Sequence, residues 1–582
     1  MRGRNPVTLS PDVPTHPVHR LFPAPPVSRR QFLTTGTLMA ASTAVLGPRA
    51  WAAEDRVRRI PLTRHARALP VGAWFPEMPA VDQLRALALA AIDAARRAGA
   101  DDADIRIGMQ RRLSVPDYPW PPFIGCTIGY GIRACVAGSW SFHHGNLLTT
   151  EAVVASAQNA VADAKTASTV NAALRAAAPP WTSAPVVTGE WRTPVVVDPF
   201  TVPLDDYHRV MASLVDATVH VHRNVRVGAG IGWQSELRVF ASMSGSLVAQ
   251  ELTSGGPGVA GGASLPENPT DAVQIDVPAL TPAPGGFELA LRTDWIPHVL
   301  QGIDEAIQLR ELPLRQMTDV GRYPMLFDGA SFANLIGMTV NFALDGDRVA
   351  GFEADAAGRS FLTPLDTILG AATPYFSPLL TIRATPLELE GVARPWDDDG
   401  VVPEAYPLIE HGNVVDYHTT RATAPLLAPW YAKHGKPMRS HGCAVAATPA
   451  SVPYGAGGHV QVMPSPTRVS LTDLHDTPRS FLVRGGNIDP DPGLTGGRGG
   501  WGSLIVEYRR GVPVTRLFVV PLQFVTKTTL QKNLVAIGDA TTLRTTTVTA
   551  SKGIPWQPVS QPISAPAALC KEIDVIPRVP SP

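Results

Sequence analysis

Charge is scarce in this sequence, and what there is cancels. Of 582 residues, 17% are Asp, Glu, Lys or Arg, against roughly 25% in an average soluble protein. Lys plus Arg and Asp plus Glu number 50 each, so the formal net charge is zero. No basic excess is left to neutralise a phosphate backbone, which argues against nucleic acid as a partner. Only four cysteines occur, Cys126, Cys135, Cys443 and Cys570. They make no zinc-ribbon spacing and too sparse a set for a disulfide framework. Cys126 and Cys135 flank a predicted strand, which at roughly 3.3 Å per residue holds them beyond bonding reach. Buried thiols are therefore expected. No repeat stands out at a period of about 20–50 residues. The motifs H-E-x-x-H and G-x-S-x-G and the P-loop are absent as well.

Proline, by contrast, is abundant. The 57 prolines concentrate in the first 30 residues, around 174–204, at 257–284 and at the C-terminus. Proline blocks helix interiors and central strands, so these stretches read as linkers. Length allows about two to four domains. Near the N-terminus, "SRRQFL" with Arg29 and Arg30 precedes a small-residue apolar run and then Ala50-Trp51-Ala52. This resembles a twin-arginine export signal closed by an A-x-A-like site. The run is too short to be a permanent membrane span. Residues 1–52 are accordingly set apart as a signal region, and a periplasmic location is expected.

Along the remaining chain the periodicity changes several times. Leu84, Leu87, Ala88, Ala91, Ile92 and Ala95 form a helical stripe with Gly99 at its C-cap. "ADIRIG" alternates like a strand, and "GYGIRACVAGSWSFHHGNLLT" reads as two strands around a Gly-Ser turn. A helix capped by Thr149 or Thr150 follows. "PLDDYHRVMASLVDATVHV" is a further helix, and two strands turn at Ser244-Gly245. The fold class expected is α+β. A helix-hairpin-helix N-terminal domain (76–200) and a central strand-rich region (201–300) precede a β-rich C-terminal domain (320–576).

"LIGMTVNFALDGD", Leu335 to Asp347, is apolar nearly all round and belongs in a large core. Gly337 within it costs about 1 kcal/mol relative to alanine. Asp345, Asp347, Glu353 and Asp355 follow, and a solvated helix end is the expected reading. His411 and His418 are seven apart, as are His434 and His441, all in predicted turns and strands; metal binding there is not expected. "GAGIGW" lacks the strand-turn-helix setting of a dinucleotide site. "GGNIDPDPGLTGGRGGWG", which carries Gly485 and Gly486, reads as a flexible loop shaping a cleft. Asp345, Asp347, His441, Gly485 and Gly486 are the candidate cleft residues. Bottom-up, no catalytic constellation emerges.

Several segments, in order, resemble the TldD/PmbA family, whose PmbA member is also called TldE. They are "AGADDADIRIG", the "GYGIRACVAGSWSFHHGN" hairpin and its helix, "WDDDGVVPEAYPLIEHGNVVDYHTTRATA", "RGGNIDP", "NLVAIGDA" and "PVSQPISAPAALCKEIDV". The family includes zinc metallopeptidases linked to peptide maturation, older descriptions of which call them modulators of DNA gyrase. Where catalytic members carry "LLHEAVGHALEGD", this chain has "LIGMTVNFALDGD". The resemblance places the first zinc histidine on Gly337, the glutamate base on Met338 and the second histidine on Phe342. The third ligand, a cysteine, falls on Ala550, or on Ser551 if the register slips by one.

None of these side chains replaces the catalytic groups, because zinc catalysis needs about three protein ligands and a base for the bound water. No cofactor is therefore expected. Histidines at the spacing of Gly337 and Phe342 would lie about 140° apart on a straight α-helix. The metal-binding version thus needs local widening, such as a π-bulge, for which a zinc-free chain has no obvious use. By resemblance, the chain is a zinc-free, TldE-like subunit of a peptide-processing complex. It would pair with itself or with a zinc-bearing TldD-like paralogue, with peptide as substrate. The alternatives are a peptidase whose catalytic groups have moved to Asp345, Asp347 or His441, and a solitary peptide-binding protein.

Overall fold

The computed structural model describes residues 71–575, apart from 117–120, 171–179, 222–225, 266–267, 275–281, 293–295, 317–319, 357, 364, 387, 390–391, 475–476, 486, 492–495, 502–503, 519–521 and 554. The expected stripe of Leu84, Ala88, Ala91, Ile92 and Ala95 is buried along helix α1 (Val81–Ala98). The helix stops at Gly99, whose φ of 92° is left-handed and favours glycine. Strands β1 (Asp102–Pro116), β2 (Phe123–Val136) and β3 (Ser139–Gly145) follow as an antiparallel meander. Helix α2 (Thr150–Val170) then returns over β2 and β3 and packs on α1. The Thr149 hydroxyl accepts from Ala152 N at 3.3 Å, as a cap should.

The architecture is α+β, as the sequence implies. The strands of the central region join the first sheet. β5 (Arg226–Ser242) pairs antiparallel with β1, Ile105 facing Ala241, and β6 (Leu247–Leu265) pairs with β5. With β4 (Thr188–Arg192) the path is β3-β2-β1-β5-β6-β4, and two short strands pair with β6. Sequence periodicity reports that a strand exists but not its neighbour, which explains why this pairing stayed hidden.

Among the described residues the C-terminal half is built on two larger sheets, one of ten strands and one of six, with two small two-stranded ones. A single core unites Met325, Phe327, Phe481 and Val483 of the larger sheet with Ile382, Val460, Val548 and Ile563 of the smaller. The helix Gly329–Ile336 contributes Phe332, Leu335 and Ile336 to it. It lies on the strands Arg544–Lys552 and Gln557–Ala565 of the smaller sheet. The glycine-rich segment expected as a loop is partly strand. Asn487–Pro490 and Gly496–Trp501 pair antiparallel, so Ile488 faces Gly499. Cys135, Cys443 and Cys570 are buried, whereas Cys126 is exposed; all four thiols are free.

Candidate functional site

The stretch Leu335 to Asp347 is reached from the strand Gly321–Phe327, which is followed by Asp328. The Asp328 carboxylate accepts from Ser331 N at 2.8 Å and caps the helix. Ser331 Oγ in turn donates to the carbonyls of Val483 (3.0 Å) and Gly485 (3.1 Å). Gly485 thus serves the helix start with its backbone, at a φ of 62°. Gly486 lies outside the described residues.

At Gly337 the helix widens. Residues Gly337–Asn341 form a π-turn before the chain reaches Phe342. In i→i+5 bonding, positions five apart come to lie nearly above one another. The helix is therefore widened here, a feature not expected of a chain without donor atoms at Gly337 and Phe342. The positions themselves do not fit zinc. A Cβ on Gly337 would stand 2.7 Å from Val548 Cγ2 and 3.1 Å from Ile563 Cγ1, so the space an imidazole needs is filled by aliphatic side chains. Phe342 is buried in the apolar core, and Met338 and Ala550 are half-buried against it. Among the described residues, no group of three or more His, Cys, Asp or Glu side chains is arranged to hold a metal ion.

What holds the π-turn is a neutral hydrogen-bonded chain. Thr339 Oγ1 donates back to Leu335 O at 2.5 Å. Asn341 Nδ2 donates to Gln561 Oε1 (2.9 Å), and Gln561 Nε2 to Gly457 O (2.6 Å). Asn341 Oδ1 lies 2.9 Å from His418 Nε2, while His418 Nδ1 lies 2.6 Å from the Tyr406 hydroxyl. Burial, reinforced by His441 and Lys552, pushes the His418 pKa down to about 3 and keeps the ring neutral. Burial also pushes the Tyr406 phenol well up, so it remains a donor. These states assign the protons: Tyr406 donates to Nδ1, and Nε2–H donates to Asn341. Cys443 Sγ, 3.2 Å from the Tyr406 oxygen, continues the same chain. Burial raises its thiol pKa, so it is no ready nucleophile.

The acidic residues expected at a solvated helix end are buried instead. Asp345 is 0% exposed, and its carboxylate meets the ammonium of Lys552, also 0% exposed, at 2.7 Å. Lys552 further contacts the Gly455 carbonyl and stands 3.1 Å from Glu353 Oε1. Asp347 accepts from Gly455 N. Burial raises the Asp345 pKa to about 6 despite the opposing pull of Lys552. Burial would lower the Lys552 pKa, but Asp345, Glu353 and Asp347 more than offset it. The lysine is a fixed cation, not a base. Its distance from Asp345 in sequence, 207 residues, explains why no local pattern exposed it.

His441 sits apart from these acids. Nδ1 is 2.7 Å from Glu404, Nε2 is 3.2 Å from Asp416, and the ring stacks on Tyr406 with centroids 3.8 Å apart. Burial disfavours its cation, but Asp416 and Glu404 outweigh that and its pKa is raised. Asp345, Asp347 and His441 are thus each committed to partners within the core and form no open constellation. His411 occupies the turn Glu410–Asn413 at a φ of 46°.

A second buried polar region joins the first sheet to the "WDDDG" loop. Arg133 reaches Asp104 at 2.6 Å and Asp399 at 2.7 Å, and Arg238 meets Asp398. Arg394 reaches Glu236 (3.1 Å), and Arg421 reaches Asp102 (2.9 Å). Burial alone would raise Asp398, yet Arg238, Arg394 and Arg106 hold its pKa below the usual value. The Asp397 carboxylate accepts from the backbone of Asp399, Val401 and Ala444 and shapes the loop that presents these acids.

The sequence of residues 320–444 matches a family described as the PmbA/TldA metallopeptidase C-terminal domain. Three solved structures share the architecture far more widely. A candidate modulator of a DNA gyrase from Thermotoga maritima MSB8 matches with a TM-score of 0.59 at 14% identity, covering 85% of this chain and all of that one. One from Bacteroides thetaiotaomicron VPI-5482 gives 0.57 at 13%, covering 85% and 98%. TldE from Thermococcus kodakarensis gives 0.56 at 15%, covering 84% and 99%. The chain has the TldD/PmbA fold. No curated protein matches it.

These relatives correct the expected location. These matches, described as modulators of DNA gyrase and not as exported proteins, correct the periplasmic assignment drawn from Arg29 and Arg30. Both arginines lie outside the described residues. Among the described residues no helix is long and apolar enough to cross a membrane.

Proposed function

We propose that this TldD/PmbA-like chain is a zinc-free, non-catalytic subunit that shapes a peptide-handling chamber. The observation that carries the reading is the π-turn at Gly337–Asn341, kept in a chain whose aligned donor positions are Gly337, Met338, Phe342 and Ala550. A turn built for ligands five residues apart has been turned to packing. The fold around it is retained, and the catalytic groups are not. In this reading the partner is a second copy or a zinc-bearing TldD-like paralogue, engaged through the 320–576 domain. An obligate interface of that kind buries roughly 2,000 Å² or more and is apolar at its centre.

The test is to assay the purified chain alone and mixed with the zinc-bearing paralogue, with light scattering in parallel. Hydrolysis of unfolded peptide only in the mixture, by a stable complex, is the expected result. Hydrolysis by the chain alone would favour relocated catalytic groups. A stable monomer that recruits no partner would leave a solitary binding protein.

A further inference from the structure

A cleft of about 530 Å³ opens on the six-stranded sheet, and it shares no lining residue with the π-turn or the buried chains around it. Its walls are Pro378, Leu379, Met463, Pro464, Pro466 and Ile537, an apolar set, and its polar lining is Thr381, Arg383, Glu410, His411 and Ser465. The volume lies within the roughly 300–1,000 Å³ of small-molecule sites.

The arrangement of its charges follows from strand register. Ile382 pairs with Ile409 across the strands Ile382–Ala384 and Tyr406–Glu410. Continuing that pairing sets Thr381 opposite Glu410, and the His411 amide donates to Thr381 Oγ1 at 3.2 Å. Arg383 is two residues from Thr381, so all three side chains share a face of the sheet. Arg383, Glu410 and His411 are exposed, and none has a side-chain partner among the described residues. This is unlike the rest of the molecule, where the arginines of the first-sheet seam are each met by an acid. A guanidinium and a carboxylate that line one apolar cleft without meeting each other leave both charges to a ligand.

We propose that this cleft binds a short zwitterionic peptide with apolar side chains, about two residues long. The Arg383 guanidinium would take the terminal carboxylate in a bidentate pair. The Glu410 carboxylate would take the terminal ammonium, and the wall of prolines, Leu379, Met463 and Ile537 would cover the side chains. His411 stands at the lip as a further hydrogen-bonding group. The site is independent of the proposed subunit role, since it needs neither a partner chain nor hydrolysis.

The test is titration calorimetry of the full chain with leucyl-leucine, its N-acetyl derivative, its C-terminal amide, and free leucine. Leucyl-leucine should bind, and removal of either terminal charge should weaken binding by about tenfold. The Arg383→Ala variant should lose discrimination against the amide alone, and Glu410→Gln discrimination against the acetylated form alone. Both substitutions are on exposed side chains, and circular dichroism will confirm that the variants fold. Absence of leucyl-leucine binding at millimolar concentration would overturn the proposal. So would binding that the two variants leave unchanged, or acetylated and amidated forms that bind as tightly as leucyl-leucine itself.

Discussion

The seam around the "WDDDG" loop and the core around the π-turn are both polar and both buried, yet they are built from opposite materials. The seam is ionic: Arg133, Arg238 and Arg394 face Asp104, Asp398, Asp399 and Glu236 across the first sheet and the loop. The π-turn is held by neutral groups, Tyr406, His418, Asn341 and Gln561, within the C-terminal half. A buried charge pair adds little over an apolar pair of the same shape, but losing one partner is costly. Such a seam fixes which surfaces meet. A neutral chain sets where individual atoms lie, which is what an irregular turn needs. Between the two lies the Asp345–Lys552–Glu353 cluster, where one ammonium compensates carboxylates on a segment that follows the turn.

Breaking the seam should have the largest effect. Asp398→Ala leaves the Arg238 guanidinium with Glu236 as its remaining acid and the Ala446 amide without its acceptor. A loss of about 3–5 kcal/mol is expected from denaturant midpoints. Combining it with Arg238→Met should cost clearly less than the sum of the single changes. Additive losses would mean that the pair acts through separate contacts.

Lys552→Met should come next, at about 3 kcal/mol near neutral pH. The two regions then differ in the sign of their pH dependence. Asp398 and Glu236 have lowered folded-state pKa values, so their contribution is present at neutral pH and is lost as pH falls through the carboxylate range. Asp345 is raised to about 6 from 3.8. Its folded state binds the proton more tightly than the unfolded chain, so its contribution grows as pH falls from about 6 towards 4. Without Lys552 the Asp345 carboxyl is raised further still, so the defect of Lys552→Met should shrink as pH falls towards about 6, while the defect of Asp398→Ala shrinks only as the carboxylates of the seam protonate. A Lys552→Met loss independent of pH would remove Asp345 as the stranded partner.

The neutral chain should respond more mildly. Asn341→Leu leaves Gln561 Oε1 and His418 Nε2 unsatisfied, a loss of about 1–3 kcal/mol. Adding Gln561→Leu should recover part of it. Gly337→Ala is the smallest and most pointed change. Helix propensity alone would reward it by about 1 kcal/mol, but the new methyl meets Val548 at 2.7 Å. A net loss of about 1 kcal/mol is expected, and a net gain would show that the π-turn has room to spare.

These two regions also differ in how far they could be read from sequence. Local signals were reliable: the α1 stripe and Gly99 and the Thr149 cap stand where periodicity and capping chemistry put them. That Gly337, Met338, Phe342 and Ala550 stand at the ligand and base positions rests on the resemblance alone. That the helix widens at Gly337 in this chain was not legible. It depends on Val548, Ile563 and Gln561, which are more than 200 residues from Gly337 and Asn341 and carry no local mark. The acids Asp345 and Asp347 looked like a solvated end because their neutralising partner, Lys552, is equally remote. Likewise, alternation identified β5 and β6 as strands but could not reveal that β1 is the neighbour of β5 in the sheet.

The central claim is that side chains, not a metal, now hold the π-turn. The most direct test is elemental analysis of the purified chain after incubation with excess zinc and gel filtration, with thermal unfolding measured in zinc and in chelator. No stoichiometric zinc and superimposable unfolding curves are expected, because Gly337, Phe342 and Ala550 offer no donor atom and Val548 fills the space beside Gly337. About one tightly held zinc per chain, with a chelator-sensitive unfolding temperature, would contradict it.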